Sequence, residues 1–248
     1  MAISIDFFKI LFFDIETVSQ KPVYQELDER MQELWGRKAR HVLRQYDETP
    51  EPEAVAAAYQ DRAAIFAEFG KVCTISMGIL SRQEGHEVLR IKSFSGTEER
   101  TVLTQFKELL DQFYYDVDQH FLCGHNIKEF DVPYLARRMM ILGIPLPNLL
   151  NLHGKKPWET KYLVDTMDLW KFGDIKHFTS LDLLAACFGI PTPKGDIDGS
   201  RVGSVFWIDQ DLDRIQEYCQ KDVVTVAQIL RKFSFLPLFT EDQIKMIT

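Results

Sequence analysis

The chain has 248 residues, 46% of them hydrophobic, 27% charged and 12% aromatic, which excludes a disordered chain and suits one large domain spanning 1–248 better than two full-sized ones. Its 29 basic and 37 acidic residues leave a net charge of −8, so a uniformly positive surface for coating duplex nucleic acid is excluded. Any polyanion must be met locally.

Ile10 to Ile15 is a short, nearly continuous apolar run that predicts a central strand buried on both faces. Residues 18 to 70 are polar and helix-prone, with a basic stretch, a proline-bearing acidic break and an alanine-rich run; they read as a helical insertion after that strand. Val72 to Leu80 and Glu87 to Phe94 predict two strands joined as a hairpin through Arg82 to Gly85. Thr97 is positioned to cap a helix in which Val102, Phe106, Leu109 and Phe113 recur at helical spacing. A strand at His120 to Gly124, a helix from Asp131 to Leu142, a strand at Tyr162 to Thr166 and a helix from Ser180 to Phe188 follow. Both helices end in Gly-Ile-Pro, at Gly143 and Gly189, where glycine turns the chain and proline prevents continuation. The last helix runs from Asp211 to Phe233. At about 100° per residue, Ile215, Cys219, Val226, Ile229 and Phe233 surround Asp222, placing a carboxylate in the apolar stripe. A buried carboxylate needs a partner, and a positive one is expected.

The first fifteen residues are interrupted by Asp6, Lys9 and Asp14, and no apolar run reaches 18 residues, so neither export nor membrane insertion is expected. The four cysteines, Cys73, Cys123, Cys187 and Cys219, are far apart and form no C-x-x-C pair, which argues against a zinc knuckle or a disulfide framework and for a cytoplasmic location.

Three groups of residues carry chemistry. Asp14 and Glu16 stand two apart on the first strand and emerge on one face roughly 7 Å apart, a spacing that lets two carboxylates hold hard cations such as Mg²⁺ or Mn²⁺. Strand ends in solvent often carry the same residues. Asp131, in the run from His125 and Asn126 through Phe130, stands where a strand gives way to a helix, and a helix cap accounts for it equally well. Tyr218 and Asp222 share a helix face, where a boundary aromatic is the ordinary reading of the tyrosine.

Taken together and in this order, the segments Phe13-Asp14-Ile15-Glu16-Thr17, His125-Asn126 to Phe130-Asp131, and Tyr218-x-x-x-Asp222 resemble the three motifs of the DEDD exonuclease superfamily. A tyrosine four residues before the last aspartate is similar to the DEDDy branch, especially the proofreading domain of family B DNA polymerases and the stand-alone predicted exonucleases related to it. The resemblance covers essentially the whole chain. It implies an α/β fold of the ribonuclease H-like kind, a mixed five-stranded sheet flanked by helices. It further implies two divalent cations, Mg²⁺ or Mn²⁺, held by Asp14, Glu16, Asp131 and Asp222, with Tyr218 orienting the attacking water, and 3′–5′ hydrolysis to nucleoside 5′-monophosphates. By the same resemblance Phe13 and Thr17 would lie where the terminal nucleotide is held and Phe130 where bases are wedged or stacked, with Asn126 counted among the substrate-binding residues; core packing is the ordinary alternative for both phenylalanines.

No polymerase is expected to follow, so grip on single-stranded nucleic acid, DNA favoured over RNA, is expected from elsewhere in the chain. Arg37, Arg40 and Arg44 on one helix face and Lys155, Lys156 and Trp158 beyond the second motif combine cations with an aromatic, as single strands require; a solvated helix and a polar loop look the same in sequence. Asp165 and Asp168 match no motif position and read as supporting residues, and the segment from Gly195 to Gly199 reads as turn chemistry. An exoribonuclease or short-oligonucleotide hydrolase, and a non-catalytic end-binding adaptor, remain the alternatives.

Overall fold

The structure, a computed structural model, describes residues 5–47, 49–174, 176–191 and 197–247. The apolar run at Ile10 opens strand β1 (Ile10–Ser19), which extends four residues past the predicted Ile15. Two helices, α1 (Glu29–Val42) and α2 (Pro52–Arg62), follow as the expected insertion. The hairpin is β2 (Gly70–Gln83) and β3 (His86–Ser95), closed by a two-residue turn in which Glu84 and Gly85 both have positive φ, the geometry that matches strand twist. Helix α3 (Glu99–Phe113) is capped by the Glu98 carboxylate rather than by Thr97. Next come β4 (Phe121–Gly124), α4 (Asp131–Ile141), β5 (Leu163–Asp165), α5 (Thr166–Lys171), α6 (Leu181–Cys187), a short α7 (Val202–Ser204) and the long α8 (Leu212–Phe233). Both glycine stops are present, Gly143 with φ of 66° and Gly189 with φ of 61°.

The sheet has six strands in the order β5-β4-β1-β2-β3-β6. The five expected strands all form; the sixth, β6 (Ile244–Met246), pairs parallel with β3 and corrects the expected strand count. Three residues are too few to show a period of two, so this strand is not legible from periodicity. β1 pairs antiparallel with β2 and parallel with β4, so it is central, as its two-sided burial demands.

Alternation along β1 divides the protein into layers. Leu11, Phe13 and Ile15 face α3 and α4, where Val102, Phe106, Val132 and Leu135 complete one core. Ile10 and Phe12 face α8, meeting Val223, Val226 and Leu230 in a second core. The insertion has its own centre: Trp35 is fully buried, its indole Nε1 donates to the Val55 carbonyl at 3.0 Å, and its ring meets Tyr59 and Phe69 edge-on.

A buried ion pair ties these layers together. The Arg138 guanidinium on α4 donates through Nε and Nη2 to the Glu99 carboxylate of α3 at 2.8 and 2.6 Å, and through Nη1 to the Ala67 carbonyl at 2.8 Å. The Val72 amide donates to the same carboxylate at 2.8 Å, so both charges are fully satisfied. Removing one partner strands the other in the interior. Arg138→Met is therefore expected to lower unfolding free energy by about 3–5 kcal/mol, and the double variant Glu99→Leu/Arg138→Met to lose markedly less, both measured by urea denaturation.

Candidate active site

Each acidic group reaches the site by a separate local rule. Asp14 and Glu16 continue the parity of Ile10 and Phe12 and leave β1 on its α8 side. The register of β1 against β2 shifts between Glu16 and Thr17, so the irregularity falls directly after the second carboxylate. Helix α8 is keyed to the sheet by side-chain hydrogen bonds. Gln220 Nε2 donates to Ser93 Oγ at 2.9 Å, Ser93 and Ser76 share a hydroxyl contact of 2.8 Å, and Ser95 Oγ donates to Gln216 at 3.0 Å. That docking puts the Cys219 thiol 3.4 Å from Asp14 Oδ2 and turns Tyr218 and Asp222 toward the end of β1.

Asp131 is the first residue of α4 rather than its cap, which is Phe130. Its loop is built by Asp165, a buried carboxylate that accepts from the Asn126 amide at 2.8 Å, the Lys128 amide at 3.0 Å and the Met167 amide at 3.0 Å. Asn126 adopts φ of 64° within this loop. A side chain on Gly124 would stand 2.8 Å from the Phe13 carbonyl, so the loop runs tight against β1. His125 clamps it from outside: Nε2 donates to the Thr179 carbonyl at 2.8 Å, and Nδ1 lies 2.9 Å from the Thr166 hydroxyl, which itself donates to the Gly124 carbonyl at 3.1 Å. Burial lowers the pKa of His125 and keeps the ring neutral. Sequence reading left His125 and Cys219 without individual roles; each lies beside a motif carboxylate, but only tertiary contacts give them partners.

The four carboxylates act on one another. Burial pushes the Asp14 carboxyl well above its ordinary range, with Asp131, Asp222 and Glu16 adding to the effect and the Cys219 thiol opposing it. Glu16 is raised by burial and then by Asp222 and Asp131. Asp131 is pushed up to about 8, chiefly by burial, although its own helix amide and the Ile15 amide favour its charged form. Asp222 is pushed up to about 6 by burial, with the Tyr218 hydrogen bond working against the shift. The α8 residues on the sheet, Cys219, Val223, Val226 and Leu230, centre its buried face roughly 70° from Asp222 at 100° per residue, so Asp222 is at the margin of that face and half-buried. Its side-chain partner is the Tyr218 hydroxyl; the expected positive partner is not found among the described residues.

This donor set fits hard divalent cations: clustered carboxylate oxygens that carry excess negative charge in a buried place. Ligand atoms of Asp14, Glu16 and Cys219 lie within 4.8 Å of one another. Cys219 is held as a neutral thiol by burial and by Asp14, so it supports the carboxylate rather than competing as a soft ligand.

The other predicted residues are dispersed. Phe13 is fully buried with its ring 5.9 Å from Phe106, on the sheet face away from the carboxylates, so no surface is left for a nucleotide and its role is packing. Thr17 is half-buried and hydrogen-bonds to the Tyr134 phenol, which donates to the Ala64 carbonyl at 2.9 Å. Phe130 is half-buried against Tyr134, their rings 5.3 Å apart. Arg37 pairs with Glu33 on the exposed side of α1, Arg40 donates to Thr49 at 3.3 Å, and Arg44 lies past the helix end with φ of 57°. Lys155 donates to the Tyr162 hydroxyl at 3.0 Å, while the Lys156 ammonium lies 5.0 Å from the centre of the exposed Trp158 ring. Asp168 pairs with Lys128 at 2.7 Å, a supporting contact of the Asp131 loop. Of the segment from Gly195 to Gly199, the first two residues lie outside the described part; Asp198 accepts from the Ser200 amide at 2.8 Å, an ordinary turn bond.

A family profile described as "Predicted 3'-5' exonuclease related to the exonuclease domain of PolB" matches residues 65–239. That span holds Asp131, Tyr218 and Asp222, whereas Asp14 and Glu16 precede it. No curated protein matches. Among solved structures, the family B DNA polymerase from the hyperthermophilic archaeon Pyrobaculum calidifontis is similar at 19% identity with a TM-score of 0.54, over 90% of this chain and 24% of the polymerase. The likeness establishes the fold, a mixed sheet flanked by helices of the ribonuclease H-like kind. Among the described residues no helix is long and apolar enough to cross a membrane.

The raised carboxyl pKa values set a pH dependence. The folded chain keeps protons that the unfolded chain has lost, so the contribution of these two groups to the stability of the metal-free protein is full below about 4, the ordinary aspartate range, and is lost as pH rises through the values near 6 for Asp222 and 8 for Asp131. Thermal melts in chelator are expected to show a falling midpoint across that window. Asp222→Asn is expected to melt as high as or higher than the parent near pH 8, and to gain less from excess Mn²⁺.

Proposed function

The chain belongs to this family of predicted 3′–5′ exonucleases related to the exonuclease domain of PolB, and from that membership we propose that it trims single-stranded DNA from the 3′ end, as a DEDDy-type hydrolase using two divalent cations. The observation that carries this reading is the convergence of four carboxylates, from β1, α4 and α8, beside a tyrosine one helical turn from the last of them. An end-binding adaptor has no use for such a costly cluster of like charges.

Asp14, Glu16, Asp131 and Asp222 would hold Mg²⁺ or Mn²⁺, which when bound offset the carboxylate charge and stabilise the attacking and leaving oxygens of a phosphate displacement. Tyr218 has a separate task. Burial and the Asp222, Glu16 and Asp14 charges all raise its pKa above the ordinary value of 10.0, so the phenol stays protonated and cannot serve as a base. Its hydrogen is donated to Asp222, which leaves an oxygen lone pair to orient a water for in-line attack on the terminal phosphorus. The bond to the 3′ oxygen of the preceding nucleotide breaks, releasing a nucleoside 5′-monophosphate. Thr17, Asn126 and Phe130, at the end of β1 and in the Asp131 loop, would contact the terminal nucleotide. Lys156 with exposed Trp158, and Arg37, Arg40 and Arg44, are the cations and aromatic offered to the strand leading away.

Digestion of matched DNA and RNA oligonucleotides labelled at the 5′ end, with Mg²⁺, Mn²⁺ or chelator, tests the reading. Stepwise shortening of single-stranded DNA that requires metal is expected; preference for RNA would reassign the sugar. Asp14→Ala and Asp222→Ala are each expected to abolish shortening while the protein still melts cooperatively. Metal-dependent digestion by either purified variant overturns the assignment. Tyr218→Phe should lower turnover by roughly 10²-fold or more, the scale of a lost positioned group, with metal affinity little changed by calorimetry. Reversing two of Arg37, Arg40 and Arg44 should weaken strand binding and flatten its salt dependence; an unaltered slope returns α1 to an ordinary solvated helix.

A further inference from the structure

The sheet face opposite the carboxylates carries a cavity of its own. β3 turns Leu89 and Ile91 toward the α8 layer, so Arg90 and Lys92 point the other way, beside Ile79 and Met77 of β2 in the antiparallel register. A strand beneath a helix ordinarily presents apolar residues there. Here α3 packs its apolar stripe on β1 and β2, and over the flank toward β3 a hollow of about 420 Å³ is left, within the usual range of small-molecule sites. Its floor is apolar, formed by Leu11, Met77 and Ile79, and Phe8 and Phe113 stand at its sides with 36% and 57% of their surface exposed.

Charge gives the hollow a direction. The protein carries a net −8, yet Lys9, Arg90 and Lys92 line this cavity and no aspartate or glutamate does. Among the described residues none of the three cations is engaged in an ion pair; the Lys9 ammonium donates to the Gln119 amide oxygen at 2.8 Å. Two cations alternating on one strand face, above an apolar floor and between exposed aromatic rings, form a surface with one apolar part and one anion-seeking part.

We propose that this cavity binds a small amphipathic anion, with an aromatic or aliphatic body on the Leu11, Met77 and Ile79 floor and a phosphate, sulfonate or carboxylate on Arg90 and Lys92. Because Leu11 and the two catalytic strand carboxylates leave β1 on opposite faces, a ligand here is separate from the hydrolytic site, and the proposal stands or falls independently of the exonuclease reading.

The test is a fluorescence titration of the full chain in chelator with 8-anilinonaphthalene-1-sulfonate, beside its uncharged relative N-phenyl-1-naphthylamine. Saturable binding of the sulfonate at one site is expected, with the neutral dye much weaker. Arg90→Gln/Lys92→Gln should weaken the sulfonate by about tenfold or more, about 1.4 kcal/mol per tenfold step. Phe113→Ala, at an exposed position that leaves folding intact, should weaken it as well and keeps the test decisive if the double variant fails to fold. Thymidine 5′-monophosphate and octanoate are then added as competitors: displacement by the first identifies a nucleotide-type ligand, by the second a fatty carboxylate. Absence of saturable binding, equal affinity of the neutral dye, undiminished affinity in the folded variants, or displacement by neither competitor overturns the proposal.

Discussion

Mutual repulsion of four carboxylates in a poorly hydrated place is the constraint around which the fold is organised. Such a cluster disfavours the folded state wherever the groups are charged, so it must be held by interactions that do not depend on it. Two apolar cores on either face of β1 supply them, together with the serine and glutamine contacts that lock α8 to β2 and β3. The strand that carries the charge is thereby buried along most of its length on both faces.

The protein contains two opposite treatments of buried charge. Glu99 and Arg138 neutralise one another with every polar atom engaged, and they join α3, α4, β2 and the end of the insertion. Asp222, Asp14 and Asp131 have hydroxyl, thiol and amide partners respectively, and neither they nor Glu16 has a cationic side chain as partner among the described residues. The first arrangement is complete in the folded chain. The second is left without a counter-charge by the chain itself, and on the proposed reading a bound divalent cation would supply one and would couple stability to metal.

The residues that shape the site from behind are as informative as those that face it. Asp165 holds the turn before α4 by accepting backbone amides, and neutral His125 pins the same turn to Thr166 and Thr179. These contacts fix the position of Asp131 relative to β1, which the proposed in-line attack would require to within about an ångström. The exposed basic residues of α1 are differently situated, since the inner face of that helix is taken up by the Trp35 core of the insertion.

Sequence alone determined the long elements and the pattern of acidic residues along them. Long periodic segments such as α3 and α8, the glycine stops at Gly143 and Gly189, and the parity that puts Asp14 and Glu16 on one strand face are local properties, legible because helix and strand periods are dictated by backbone geometry. Tertiary structure decided what local rules do not contain. It turned Phe13 into the core, since burial depends on which helix covers a strand face. It moved Asp222 to the margin of the α8 contact and gave it Tyr218 as partner, added the short edge strand β6, and paired Glu99 with Arg138. It also left Arg90 and Lys92 over an open hollow. Each outcome joins residues distant in the chain, and a charge or ring acquires its neighbours only when the layers pack.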